Sequence, residues 1–387
     1  MNNWKQALPI EEVIGWRRYL HQHPELSFQE HGTANFIYTI LSQLPHLELS
    51  RPTETSVVGI LKGKHPGKTI ALRADIDALA ITEEADVDFK SVNEGVMHAC
   101  GHDVHTAMLL GAAKVLSGMT DDLHGSVKFI FQHAEEIPPG GAKALVEAGV
   151  MDEVDFVFGT HIISGAPVGM IGTSIGAMSA STDIFELKIK GCGSHGSTPE
   201  KAIDPITIGA EVISNLNNIV SRNIGALKNA VLSFGEFSSG NSHNVIPDTA
   251  CIKGTVRATD PLTRQQMKKR IFEVSEHITA AYDGTIEINW IDGYSAVMNH
   301  ADATEIVRAA ANKIVGEKAQ VTVPLMMGAE DFSAYTDVTK GSFFYLGGGT
   351  AEEGCGYSAH HPKFKINEKA LFVGMQMHVQ IALDLLQ

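Results

Sequence analysis

The chain changes its hydrophobic texture twice. Up to residue 180, short apolar runs alternate with stretches of helical spacing. The runs are "SVVGIL", "KTIALRAD", "GSVKFIFQHAEE" and "VDFVFGTH". Between the last three lie "DVHTAMLLGAAKVL", which Asp103 is placed to cap, and "GGAKALVEAG", which Gly149 can end. Two further helices precede them: "PIEEVIGWRRYLHQHP", bounded by Pro9 and Pro24, and "EHGTANFIYTILSQL". Strands that are apolar throughout bury both faces, so this region predicts an α/β sheet covered on both sides by helices.

After residue 180 the strands alternate. In "DIFELKIKG", Phe185, Leu187 and Ile189 share one face, and Glu186, Lys188 and Lys190 the other. That is a half-exposed strand. A helix follows, with Asp204 as cap, Pro205 in its first turn, and Ile206, Ala210, Ile213, Leu216 and Val220 at helical spacing. Two strands, "NAVLSFGEF" and "TACIKGTVRA", a second amphipathic helix (Met267, Ile271, Val274, Ile278) and the strand "TIEINW" complete the segment. The order β-α-β-β-α-β describes a ferredoxin-like unit over 181–293. Beyond it, "ATEIVRAAANKIVG", "GSFFYLGGG" and the final helix "NEKALFVGMQMHVQIALDLLQ" return to the buried texture. The expected organisation is one α/β domain, 1–180 with 294–387, interrupted by an inserted domain, 181–293.

At 387 residues the chain is long for a single core, in line with two domains. Its net charge of -15, without basic runs, argues against nucleic-acid or anionic-membrane partners and suits an enzyme of small substrates. No apolar run approaches the roughly 18 residues of a membrane helix, and the first twenty residues show no leader pattern. The four cysteines are scattered, with no CxxC pair, so the cytoplasm is the expected compartment. A special cysteine would then be a ligand or a nucleophile.

The candidate chemistry gathers at strand ends. "TIALRAD" ends at Asp75, "FIFQHAEE" at Glu135 and Glu136, and "VDFVFGTH" at His161. In open α/β sheets, sites form beyond the carboxyl ends of strands. Beside them is "GVMHACGHDVH", where Cys100 and His102 can both turn inward from a loop and offer thiolate and imidazole to a divalent ion. His98 and His105 read as hydrogen-bond partners of ligands, or as structural residues. Glu135 and Glu136 are adjacent, so their side chains diverge. One can hold an ion while the other moves protons between water and a leaving amine. "SAHHPKF" offers His360 or His361, and "MMGAEDF" offers Glu330 and Asp331 as helix caps or functional acids. In the inserted domain, His195 sits in the glycine-rich "GCGSHGS", Asn244 precedes a proline turn, and Arg257 lies on a strand, where it could grip a carboxylate or simply be surface.

The segments "ALRADIDALAI", "HACGHDVHTAMLLGAA", "FIFQHAEE", "GTHIISGAPVG", "GCGSHGSTPE", "GNSHNVIPDTACIKGTVRA", "MMGAEDFSAY" and "AHHPKF" together span nearly the whole chain. In this order they resemble the metal-dependent aminoacylase/carboxypeptidase family, and more narrowly its N-acyl-amino-acid amidohydrolases (hippurate hydrolases and indole-3-acetyl-amino-acid hydrolases). The resemblance implies a metallopeptidase-like α/β catalytic domain with an inserted lid or dimerisation domain, and hydrolysis of N-acyl amino acids. A dipeptidase or carboxypeptidase on the same scaffold, or a silent metal-binding homologue, is the alternative. It implies two divalent ions, zinc or manganese, with cobalt and nickel also acceptable, held by Cys100, His102, Glu136, His161 and His360, with Cys100 bridging. Glu135 would be general base and acid, and Asp75 would orient the site. His195 would stabilise the oxyanion, from its own subunit or a partner's. Asn244 and Arg257 would hold the substrate carboxylate. A homodimer or higher oligomer through the inserted sheet is the expected assembly. Ser194, Glu200, His133 and the non-aromatic "HIISGAPVG" depart from the family pattern, which bears on acyl-group preference.

Overall fold

The computed structural model describes residues 4–6 and 8–387. The absence of a leader pattern concerns residues that lie partly outside this range. Among the described residues no helix is long and apolar enough to cross a membrane. The chain forms two compact units. One joins Met1–Met178, Val297–Leu325 and Asp331–Gln387, and the other joins Ser179–Ala296 and Met326–Glu330.

The first unit is built on an eight-stranded mixed sheet. Its order is Leu47–Ser50, Val57–Lys62, His124–Gln132, His65–Asp75, Phe156–Ile163, Lys340–Gly347, Ile171–Thr173 and Gln320–Thr322. The central neighbours run parallel: His65–Asp75 lies between His124–Gln132 and Phe156–Ile163, and the last of these pairs with Lys340–Gly347. Both faces are buried, as the unbroken apolar runs predict. Leu72, Phe129, Phe131, Phe158 and Phe344 enter one core with the helices His102–Ser117 and Ala370–Leu386. The alternate residues Ala71, Ile130, Val157 and Phe343 enter a second core with Leu145, Phe332 and Tyr335.

A buried charge interrupts the apolar run of the strand His65–Asp75. Arg73 is wholly buried, and its guanidinium meets Asp75 at 2.7 Å, Asp331 at 2.9 Å and the Gln132 amide oxygen at 2.8 Å. Asp331 also accepts from the Gln132 amide group and from the Ala142 N–H. Its side chain therefore serves the sheet, not the short helix Ser333–Thr336, where a cap was one of the two readings.

Asp103 is a correction. The helix starts one residue earlier, at His102, behind a left-handed Gly101, and no side chain caps it. The Asp103 carboxylate instead faces Arg17 at 2.9 Å and His21 at 2.8 Å, both from the helix Ile10–Gln22. Burial works to raise its pKa, but Arg17 and His21 outweigh burial and hold it well below the usual carboxylate range.

The second unit carries a four-stranded antiparallel sheet in the order Ala230–Ser239, Thr249–Ala258, Asp183–Lys190, Thr285–Asp292. With helices Pro205–Arg222 and Pro261–Ala281 it has the connectivity of a split βαβ unit. Phe185, Leu187 and Ile189 pack with Val212, Leu216 and Met267, while Glu186, Lys188 and Lys253 stand on the more open face. Asp204 and Asp260 cap the two helices through Ile206 N and Thr263 N.

Arg73→Met leaves two buried carboxylates without their cation. It is expected to lower the unfolding free energy by about 3–5 kcal/mol, read by denaturant titration. Asp103 has a depressed folded pKa, so its contribution is present above the unfolded value and lost as pH falls below about 4. Asp103→Asn should flatten that acid limb in unfolding curves taken across pH.

Candidate active site

Gly101 shapes the loop that carries the first two candidate ligands. Its φ is +90°, and a Cβ there would lie 2.4 Å from Ile162 Cγ2. Only glycine fits both the turn and the approach. The tight turn brings Cys100 and His102 to one place, although only His102 is helical. The other groups come from the sheet. Asp75 ends its strand. The strand His124–Gln132 stops three residues before Glu135. The strand Phe156–Ile163 runs two residues past His161, so His161 lies inside it and not at its end.

The ligand-type atoms converge. Cys100 Sγ is 3.2 Å from His161 Nε2, and His360 Nε2 is 3.2 Å from Glu136 Oε1. His102 Nε2 stands 3.7 Å from Asp75, 3.9 Å from Glu136 and 4.0 Å from Glu135. Among the described residues five triads have all their donor atoms within 4.8 Å of one another, and two of them contain Cys100: Cys100, His102 and His161, and Cys100, Glu136 and His360. Each of these two could hold one ion. His360 adopts φ +66° and faces Glu136, whereas its neighbour His361 stacks on Tyr357.

The histidine tautomers suit cation binding. His102 Nδ1 donates to the Asp77 carbonyl at 2.9 Å and lies 3.1 Å from its carboxylate. His161 Nδ1 donates to the Ile162 carbonyl at 2.7 Å. The neutral His161 ring thereby keeps its Nε2 lone pair for the site, and the His102 ring turns its Nε2 toward the acids. His102 Nε2 is buried without a hydrogen bond, facing three carboxylates at 3.7–4.0 Å.

Electrostatics point the same way. Burial pushes the Cys100 thiol well above its usual range, and Glu136 and Glu135 push it further. A nucleophilic cysteine needs the reverse. Burial works to lower His102, but Asp75 and Asp77 hold it up at about 10. Burial, with His105 next, lowers His161 to about 3 and keeps it neutral. The cluster is rich in negative charge and its sulfur needs a cation to ionise, which fits a divalent-metal centre.

His105 and His98 part company. His105 Nδ1 donates to Asp75 at 2.6 Å, and its Nε2 accepts from the Ile162 N–H at 2.9 Å. It ties the end of one strand to the backbone beside His161. His98 is buried with neither ring nitrogen hydrogen-bonded among the described residues, and burial lowers it to about 4.

Asp77 escaped the sequence reading. It accepts from Ser27 Oγ at 2.7 Å and from the Glu136 N–H at 3.1 Å, besides meeting His102. Its signal was a second carboxylate two residues beyond the strand end in "ADID".

His195, Asn244 and Arg257 belong to the second unit. His195 pairs with Val245, and the Asn244 carbonyl accepts from the Gly196 N–H at 2.8 Å, so the two loops are joined. His195 Nδ1 is taken by Ser197, which leaves Nε2 as the ring atom available to a ligand. Arg257 is partly buried, with its guanidinium against Thr255 Oγ1 and the Val256 carbonyl of its own strand.

Comparison with known proteins gives this geometry a context. The family model "Peptidase family M20/M25/M40" matches residues 71–384. An N-acyl-L-amino acid amidohydrolase of Geobacillus stearothermophilus is 50% identical over 289 residues, covering 75% of this chain and 78% of that one. An N-acetylcysteine deacetylase of Bacillus subtilis is 41% identical over 97% of each chain. The crystal structure of the Bacillus subtilis YXEP protein, described as a dinuclear metal binding peptidase, superposes with a TM-score of 0.85 at 37% identity, covering 97% of this chain and 98% of that one.

Removing a carboxylate that orients a metal-binding histidine typically costs about 10- to 100-fold in metal affinity or activity. Asp77→Asn is expected to weaken divalent-metal affinity by that factor in a competition titration against a chromogenic chelator. Unchanged affinity would mean that Asp77 does not tune the site.

Proposed function

This chain belongs to peptidase family M20/M25/M40, and on that premise we propose that it is a dinuclear metal-dependent amidohydrolase of N-acyl amino acids. Water adds across the amide bond, releasing a carboxylic acid and a free amino acid. The observation that carries this reading is the pair of triads sharing Cys100, with Glu135 beside them.

Cys100, His102 and His161 would hold one ion, and Cys100, Glu136 and His360 the other. The sulfur, nitrogen and oxygen donors suit zinc or manganese, and accept cobalt or nickel. When bound, the two ions would supply Lewis acidity at the amide carbonyl and lower the pKa of water. Glu135, buried at the mouth of its strand, takes the proton from the attacking water and delivers it to the leaving nitrogen. Asp75 orients the site through His105. His195 donates a hydrogen bond to the developing oxyanion, in its own or a partner chain, and Asn244 and Arg257 hold the substrate carboxylate. These three roles rest on the "GCGSHGS", "HNVIPD" and "GTVRA" motifs.

The domain assignment carries over as part of the proposal. Residues 1–180 with 294–387 perform the chemistry, and 181–293 serve as lid and as the surface for a homo-oligomer. The four unpaired cysteines suit a reducing compartment, the cytoplasm.

Three measurements test this. Metal-loaded protein should hydrolyse N-acetyl or N-benzoyl amino acids faster than the matching dipeptides. The reverse order would favour a dipeptidase or carboxypeptidase, and no turnover of either set would sink the proposal. Glu135→Gln should lose about 100- to 10,000-fold in kcat with metal content intact. Cys100→Ala should lose bound metal by elemental analysis as well as activity, and full occupancy would refute its role as shared ligand.

A further inference from the structure

We propose that Glu30 is a positioning residue for Glu135, holding the backbone turn at Ala134 that aims the proton carrier. This rests on the role of Glu135 argued above.

The chain must turn between the end of its strand at Gln132 and the acidic pair. It does so at Ala134, a non-glycine residue with φ +50°. Such a conformation persists only where its surroundings hold it. Both polar groups of Ala134 are pinned. Its N–H donates to Glu30 Oε1 at 2.7 Å, and its carbonyl accepts from the Gly141 N–H at 3.1 Å. The acceptor for the next anchored amide is different: the Glu136 N–H goes to Asp77 at 3.1 Å. The Glu136 N–H belongs to the peptide that joins the two glutamates, so Asp77 fixes that peptide while Glu30 fixes the turn leading into it.

Glu30 is freed for this task by its neighbour. It stands at the N-cap of the helix His31–Ser42, where an acid would normally bond the first amides. Its side chain makes no such bond. Glu25 takes the Gly32 and Thr33 amides instead, at 2.9 and 2.7 Å. Glu30 is fully buried, and burial pushes its carboxyl up to about 7. The Glu30 carboxyl also meets its own N–H and the Thr55 hydroxyl, which hold it in place to receive the Ala134 N–H.

The test compares wild type, Glu30→Ala, Glu30→Asp and Glu30→Gln, each metal-loaded, on one N-acyl amino acid that wild type hydrolyses. Metal content is measured in parallel. A misplacement of about 1 Å can cost on the order of 100-fold in rate, so the Ala and Asp variants should lose about 10- to 100-fold in kcat. Their KM and metal content should stay near wild type. Aspartate keeps the charge but falls short of the amide. Gln carries an acceptor oxygen at the same reach and should restore kcat to within about threefold. If Ala does not fold, the Asp and Gln pair still decides. Full kcat in Asp, failure of Gln to restore it, or a rate loss that tracks lost metal would each overturn the inference. Should wild type hydrolyse nothing, or Glu135→Gln stay active, the reading of Glu135 itself fails. If wild type is active, Glu135→Gln is not, and Glu30→Asp is fully active, Glu30 alone is misassigned.

Discussion

Buried negative charge is the constraint around which the first unit is arranged. Asp75, Asp77, Asp331 and Glu135 lie buried at or near the carboxyl ends of its strands, with Glu136 beside them. Isolated carboxylates cannot stay ionised in such a place. Part of the compensation is built into the chain: one guanidinium, Arg73, forms ion pairs with Asp75 and Asp331 together. Around Glu135 and Glu136 the groups facing the acids are the imidazoles of His102 and His360, and the buried His102 Nε2 is left without a hydrogen bond. The fold therefore neutralises itself from below and leaves the upper half of the charge to ions. Metal affinity and folding stability are linked by that division, since ions that bind only the folded state stabilise it.

Positioning follows a consistent order. The sheet sets strand ends, tight turns at Gly101 and Ala134 swing the ligand loops inward, and carboxylates then fix the turns. His105 joins Asp75 to the Ile162 N–H, Asp77 joins Ser27, His102 and Glu136, and Asp103 ties the start of the ligand helix to Arg17 and His21. Among the proposed ligands, His102 and Glu136 are thereby aimed by Asp77. Such outer contacts set ring orientation and ligand basicity as firmly as the ligands set the ion.

What was legible in the sequence was local. Alternation at Phe185, Leu187 and Ile189 marked the half-exposed sheet, and unbroken runs such as "VKFIF" marked strands buried on both faces. The density of ligand types in "HACGHDVH" marked the loop. What escaped depends on contacts distant in sequence. Glu30 meets Ala134, and Arg73 meets Asp331, across gaps that no periodicity spans. Asp103 read as a cap because its type and place suited one, and the tertiary pull of Arg17 and His21 took it elsewhere. Arg73 was visible as a charge inside "IALRAD", and buried charge is a signal of pairing even before the partner is known.

The shared sulfur follows from the same electrostatics. A thiol in this position gains nothing from its surroundings as an acid, since burial and two glutamates oppose its ionisation. That opposition keeps Cys100 from acting as a nucleophile and protects it from the oxidation that thiolates undergo. A carboxylate in its place would add another negative charge to a cluster already short of cations. In the proposed role, the thiol would stay neutral without a cation and give up its proton on binding one. The loop "GVMHACGHDVH" would then carry charge at residue 100 only with a metal to meet it.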